Sequence, residues 1–158
     1  MKQIQLRAFK DTDILPFEQW LHQDYVAQWY EQPLEWMDEV RQRNDAFRFI
    51  HHFIAVYNGA DIGFGQYYAY EKSGEDWHGA IETGGTYSMD YLIGERACLK
   101  KGLGTSLVKA LLTAIFQEPD AQRVIVQPEV ENQASCNTLL SAGFQYDEEN
   151  RLYLFTRI

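Results

Sequence analysis

Leu99-Lys100-Lys101-Gly102-Leu103-Gly104-Thr105-Ser106 is the stretch on which the fold turns. It separates a strand-like run, Tyr87–Ile93, from the clearest helical run in the chain, residues 103–117. Two glycines let the backbone bend so that several N–H groups point one way, and a helix that starts there adds partial positive charge. With Lys100 and Lys101 alongside, the turn is a candidate phosphate socket. It is not a dinucleotide fingerprint, because Gly102-x-Gly104 lacks the third glycine, nor a Walker A loop, because no Gly-Lys-Ser/Thr follows. Alone, a Gly-x-Gly turn is equally a tight connection between strand and helix.

Reading outward, the N-terminal side begins with an alternating strand at 3–8, then Asp11-Thr12-Asp13 as helix caps with Pro16 in the first turn. Ile14, Phe17, Trp20 and Leu21 recur at helical spacing. A second helix follows Pro33 and carries Leu34, Met37 and Val40; the link Asp24–Tyr30 reads as an aromatic-rich loop. Runs 47–57 and 60–70 flank Asn58-Gly59, the strongest short hairpin signal. Residues 71–85 are polar with four glycines and read as a long loop. Past the glycine turn, Arg123–Gln127 reads as a buried strand. Residues 133–142 read as a helix ended by Gly143, and Phe144–Tyr146 with Leu152–Ile158 as a closing hairpin. No repeat or linker divides the chain, so one α/β domain over residues 1–158 is expected, a mixed sheet with helices on both faces.

The composition narrows the partners. The 158 residues carry 14 Lys+Arg against 23 Asp+Glu, a net charge of −9, and 46% are hydrophobic. That is enough apolar matter for a packed core. Such a charge disfavours nucleic acid, whose phosphates need a basic face. No apolar run approaches the roughly 18 residues of a membrane span, and no secretory h-region is visible, so a cytoplasmic protein without a membrane partner is expected. Monomer and homodimer both stay open. Residues 1–90 hold 15 acids and 7 bases, whereas 91–109 is locally basic. The charge pattern fits a cationic ligand near the first part and an anionic one near Lys100–Lys101, or simply two solvated faces.

A second block sharpens the first. Asn132-Gln133-Ala134-Ser135-Cys136-Asn137-Thr138-Leu139-Leu140-Ser141-Ala142-Gly143-Phe144 resembles the Asn-x-x-Ala-x-x-x-Tyr-x-x-x-Gly-Phe block of the GNAT acyltransferase superfamily. The glycine turn resembles that superfamily's pyrophosphate loop, with Leu99 in place of the usual Gln or Arg. Ser88-Met89-Asp90, Lys101–Leu111, Ile62–Tyr68 and Val26–Tyr30 together resemble the aminoglycoside 6'-N-acetyltransferase-like subgroup over nearly the whole chain. The resemblance implies a mixed, mostly antiparallel central sheet and acetyl-CoA as co-substrate. It implies the diphosphate on Lys100, Lys101, Gly102, Leu103, Gly104 and Thr105, and the pantetheine arm laid along Tyr91, Leu92 and Ile93 like an added strand. Asn132 and Ser135 of the second block complete the cofactor side. It also implies direct attack of an amine on the thioester, with no covalent intermediate.

Such a transfer needs the ammonium to lose a proton and the thiolate to depart. Asp90 is the candidate base: a carboxylate between Met89 and Tyr91, just before the cofactor segment, is unusual as surface charge, and the resemblance puts the catalytic aspartate there. A structural salt bridge is the alternative. The family's tyrosine, its usual acid, is Leu139 here, and Tyr87 or Tyr146 are candidate substitutes. On the acceptor side, Trp29, Tyr30, Tyr67, Tyr68 and Trp77 with Glu71, Glu75, Asp76 and Glu82 of the long loop, and Glu129, suit an aromatic, acidic pocket for a small cationic amine, an amino sugar being the best fit. Close relatives have an acid where this chain has Gln127. Acylation of a hydroxylamine or peptide amine remains open, as does an acyl-CoA-binding module without turnover, which Leu139 suggests. Cys98 and Cys136 have no histidine tied to them, and His22 and His78 lack ligand spacing, so neither a thiol enzyme nor a metal is expected.

Overall fold

The computed structural model describes residues 3–157. Seven strands form one sheet: β1 (Gln5–Ala8), β2 (Ile50–Tyr57), β3 (Ala60–Ala69), β4 (Thr86–Ile93), β5 (Arg123–Val126), β6 (Gln145–Asp147) and β7 (Leu152–Thr156). Their order is β1-β2-β3-β4-β5-β7-β6. Every neighbouring pair is antiparallel except β4 with β5. The helices are α1 (Ile14–Leu21), α2 (Asp24–Ala27), α3 (Pro33–Arg41), α4 (Leu103–Ile115) and α5 (Gln133–Ser141). Asn58 and Gly59 take φ of 51° and 78°, the two positive angles that a two-residue hairpin turn between β2 and β3 requires. The expected end of the last strand, Ile158, lies outside the described residues.

Two differences from the sequence reading have plain causes. Asp24–Ala27 is one helical turn rather than loop, with Val26 buried beneath it. Leu34 was expected on the buried stripe of the second helix but is 78% exposed, while Met37 and Val40 are buried. With Pro33 at the first helical position, Leu34 falls on the outer side of the opening turn.

The helices cover opposite faces. Leu103, Leu107, Val108, Leu111 and Ile115 of α4 and Leu139 of α5 pack against Tyr67, Tyr87 and Met89. On the other face, Phe17, Trp20 and Leu21 of α1 and Met37 and Val40 of α3 pack against Ile54, Phe64 and Leu92. Burying such a side chain fully is worth about 1.5–3 kcal/mol, so these two clusters anchor the helices.

The feature that positions the site is where the sheet comes apart. β4 and β5 pair only at Thr86↔Arg123 and Tyr87↔Val124. Beyond Tyr87 they diverge, and the rest of β4 is held by β3 alone, from Gly63↔Ile93 to Ala69↔Tyr87. The N-terminus of α4, the start of α5 and the α2–α3 segment all gather around the opening.

Candidate active site

The glycine turn enters α4 through Gly102, at φ 75° and ψ 8°. Lys100 is also left-handed, at φ 62°. The first N–H groups of an α-helix have no carbonyl one turn back to bond, so the start of α4 presents donors toward the opening. A Cβ added to Gly104 would meet nothing nearer than Thr138 Oγ1, 3.7 Å away. Protein packing therefore does not demand glycine there, and the missing side chain leaves space on the side of the cavity.

That cavity is about 450 Å³ and is lined by Lys100, Gly102, Leu103, Gly104 and Thr105, by Leu92 and Ile93, and by Asn132, Ser135 and Thr138. Lys101 is exposed at the turn and is not part of this lining. Asn132 caps α5, its side-chain oxygen accepting from the Ser135 N–H at 3.2 Å. Tyr25 and Tyr30 close the edge of β4: Tyr25 Oη donates to the Ile93 carbonyl at 3.0 Å, and Tyr30 Oη accepts the Tyr91 N–H at 3.2 Å and donates to the Tyr91 carbonyl.

A second cavity, about 290 Å³, adjoins the first. Trp29, Tyr30, Trp36, Tyr68 and Trp77 form aromatic walls, and Asp90, Glu75 and Glu129 are its carboxylates. Asp90 accepts from Gln66 Nε2 at 2.9 Å, across the pair Gln66↔Asp90 of β3 and β4. Burial raises its carboxyl, the Gln66 bond draws it back, and repulsion from Glu75 raises it again, to about 6. No cation figures among these influences, and Gln66 is the side chain that Asp90 bonds. Tyr68 Oη donates to Glu75 Oε1 at 2.7 Å. Trp77 packs edge-on to Tyr70 with centroids 5.1 Å apart, which fastens the long loop to the sheet.

Tyr67, Glu71, Asp76 and Glu82, expected on the acceptor side, do not line this cavity. Tyr67 lies on the opposite face, its ring stacked on His51 at 4.5 Å and its hydroxyl donating to Glu118 at 3.0 Å. Side chains alternate along a strand, so Tyr68 faces the site and its neighbour cannot. Glu82 is exposed where the loop returns to β4, and its carbonyl accepts from Arg123 at 3.2 Å. Neither candidate acid is here: Tyr87 donates to Asp120 at 2.7 Å on the α4 face, and Tyr146 lines a separate surface groove. Leu139 is fully buried.

Sequence reading missed Trp36, Gln66 and Glu39, and gave Tyr91 a place only through the backbone of the pantetheine strand. Glu39, on α3, is raised to about 7 by burial first and then by Asp90. One turn separates Glu39 from Glu35 and Trp36 on the same helix, a pattern that reads as an ordinary polar face. Only the packing of α3 over the sheet brings Trp36 and Glu39 inward, while Glu35 stays exposed. Around one opening the two cavities bring together a helix start with unsatisfied N–H donors, a carboxyl raised to about 6, and aromatic walls with two further carboxylates.

Residues 10–152 match the family model described as Acetyltransferase (GNAT) domain. The aminoglycoside N(6')-acetyltransferase type 1 of Klebsiella pneumoniae is 27% identical over 148 residues, covering 90% of this chain and 74% of that protein. A protein of the same name from Serratia marcescens matches equally. Among solved structures, aminoglycoside acetyltransferase AAC(6')-Ib in complex with coenzyme A and kanamycin superposes with a TM-score of 0.84 at 25% identity. That match covers 98% of this chain and 95% of the other. An aminoglycoside N(6')-acetyltransferase from Legionella pneumophila shares the fold, with a TM-score of 0.72 at 18% identity, over 98% of this chain and 91% of that one.

Proposed function

The chain belongs to the GNAT acetyltransferase family, and from that premise we propose that it moves an acetyl group from acetyl-CoA to a primary amine of a small cationic acceptor, an amino sugar of the aminoglycoside type fitting best. The observation that carries this reading is Asp90: a carboxylate bonded to Gln66 and raised to about 6, in the lining of an aromatic cavity that adjoins the one beside the glycine turn. Relatives named for aminoglycoside acetylation, at 27% identity, support the substrate class. On that reading the protein would contribute to aminoglycoside resistance and would work in the cytoplasm.

The residues fit acetyl-CoA. The start of α4 and Lys100 would hold the diphosphate, and the space left by Gly104 would admit it. The Tyr91 and Ile93 backbone groups that now engage Tyr30 and Tyr25 would serve the pantetheine amides, in the manner of strand addition. When bound, the thioester supplies an activated acetyl group. The protein's own work lies on the acceptor side. Trp29, Trp36 and Trp77 would receive a cationic acceptor on their faces, and Glu75 and Glu129 would hold its further ammonium groups. Asp90 would take the proton from the attacking nitrogen and release it to water. A carboxyl near 6 remains well below an alkylammonium, whose reference value is about 10.4, yet it is closer by about 2 units than an ordinary aspartate.

Thiol release from acetyl-CoA with a panel of amines tests the reading. Aminoglycosides and polyamines should be turned over and neutral amines should not. Turnover confined to neutral amines or hydroxylamines would replace the acceptor class, and no turnover with any amine would remove the transferase reading of this site.

A further inference from the structure

Five residues line both cavities and so form the wall between them: Trp29, Tyr30, Tyr91, Asn132 and Ser135. Three carry hydroxyls. That of Tyr30 is committed to the β4 backbone, accepting the Tyr91 N–H and donating to the Tyr91 carbonyl. The other two meet across the split in the sheet, with Tyr91 Oη and Ser135 Oγ 2.7 Å apart. One turn further along α5, Leu139 is fully buried and offers no proton donor.

Alternation places the two candidates for proton chemistry on opposite faces of β4. Asp90 faces Gln66 and Glu75, on the α3 side. Tyr91 packs with the α4 cluster and reaches α5. An acyl transfer makes the same division: a proton leaves the attacking nitrogen on one side, and negative charge grows on the departing sulfur on the other. We infer that Tyr91, oriented by Ser135, donates the hydrogen bond that receives the departing sulfur of CoA. This rests on the acetyl-CoA reading given above.

The step balances without a further reactant. The amine lone pair forms the N–C bond, and the amine proton passes to Asp90 and on to water. The C–S bond breaks with its electron pair on sulfur, and Tyr91 O–H bonds to that sulfur while Ser135 O–H bonds to the tyrosine oxygen. A proton from water completes the thiol on release, so amine and thioester give amide and thiol. Tyr91 suits a hydrogen-bond donor that keeps its own proton. Burial holds its phenol above the ordinary value, and the groups facing it, Asp90 on its own strand, Cys136 on α5 and Tyr153 on β7, include no cation that would favour the phenolate. Ser135, by contrast, draws the phenol back toward its ordinary value.

The test reads bound thiol as well as turnover. CoA is titrated calorimetrically into wild type, Tyr91→Phe and Ser135→Ala from pH 6.5 to 10, with an analogue lacking the sulfur as reference. A donor to sulfur makes the thiolate bind more tightly, so wild-type affinity for CoA should gain about tenfold over the analogue as the thiol ionises, equivalent to one pKa unit. Tyr91→Phe should abolish that gain and lower kcat about tenfold, with affinity at pH 6.5 unchanged. Ser135→Ala should reduce the gain in part. A full gain in Tyr91→Phe overturns the inference. If that variant does not fold, a full gain in Ser135→Ala overturns it, and a reduced gain supports it. Failure of wild type to bind CoA at any pH refutes the cofactor reading instead.

Discussion

The two cavities around the split in the sheet are built by different means. The side proposed for the cofactor is framed largely by backbone from two neighbouring segments: a left-handed Gly102 with the first turn of α4, and the edge of β4 that β5 leaves to Tyr25 and Tyr30. The acceptor side is made of side chains from α3, β3, β4, the long loop and the segment after β5. A site of backbone donors tolerates many side chains around it, and its signature lies in glycine spacing. A site of convergent side chains depends on register and on how loops pack, so its members are scattered through the chain. The first half suits a constant ligand and the second a variable one.

Variants that strike one half and spare the other sharpen or break this contrast. The largest effect belongs to Asp90→Asn, which should lower kcat by roughly 10²–10⁴ while leaving acetyl-CoA affinity nearly unchanged. Its stability effect has a definite sign. A carboxyl raised to about 6 in the fold is favoured by the fold in its protonated form, so its contribution to stability is present below about 4 and is lost as pH rises toward 6. Asn should therefore melt no lower than wild type at pH 7. It gains on the order of 2 kcal/mol from relief of the buried charge, an advantage that vanishes below pH 4. A melting point several degrees lower at pH 7 would mark Asp90 as structural.

Gly104→Val comes next. A branched side chain would fill the space beside the helix start, so acetyl-CoA affinity should fall by about 10- to 100-fold by calorimetry, with acceptor KM little changed. Unchanged affinity would put the diphosphate elsewhere. On the other side, Trp77→Ala should raise acceptor KM by several-fold to about 10-fold without altering acetyl-CoA binding, in line with loss of one cation–π wall. An equal loss on both substrates would show that the loop supports the whole fold. The smallest effect expected is that of salt: acceptor KM should rise by a few-fold from low to high ionic strength, because Glu75 and Glu129 are exposed. A flat profile would detach these carboxylates from acceptor binding.

How much could be read from sequence follows the same division. The hairpin at Asn58-Gly59, the helix after Gly102 and the helix that ends before Gly143 are local signals, and each stands where its residues implied. Tyr67 and Tyr68 are adjacent aromatics with equal claims in sequence, and only the register with β4 decides which one shares a face with Asp90. Glu75 and Glu82 lie in one polar loop, and the contact of Trp77 with Tyr70 determines which part of it reaches the cavity. Glu39 was hidden because a charged residue on a helix ordinarily faces water; here α3 lies over the one part of the sheet that carries Gln66 and Asp90. The split of β4 from β5 has no local signature, since it is a matter of how far two strands distant in the chain stay paired.

The measurement that goes most directly to the account is the dependence of kcat on pH, from 4.5 to 9, with a primary-amine acceptor for wild type and Asp90→Asn side by side. If Asp90 receives the amine proton, it must be ionised to work, so the wild-type rate should climb as pH rises through about 6 and then level. The variant should lack that limb and recover only at high pH, where more of the amine arrives deprotonated. The same limb near 6 in both proteins, or near-normal turnover by the variant at neutral pH, would contradict the assignment of Asp90 and with it the division of labour between the two cavities.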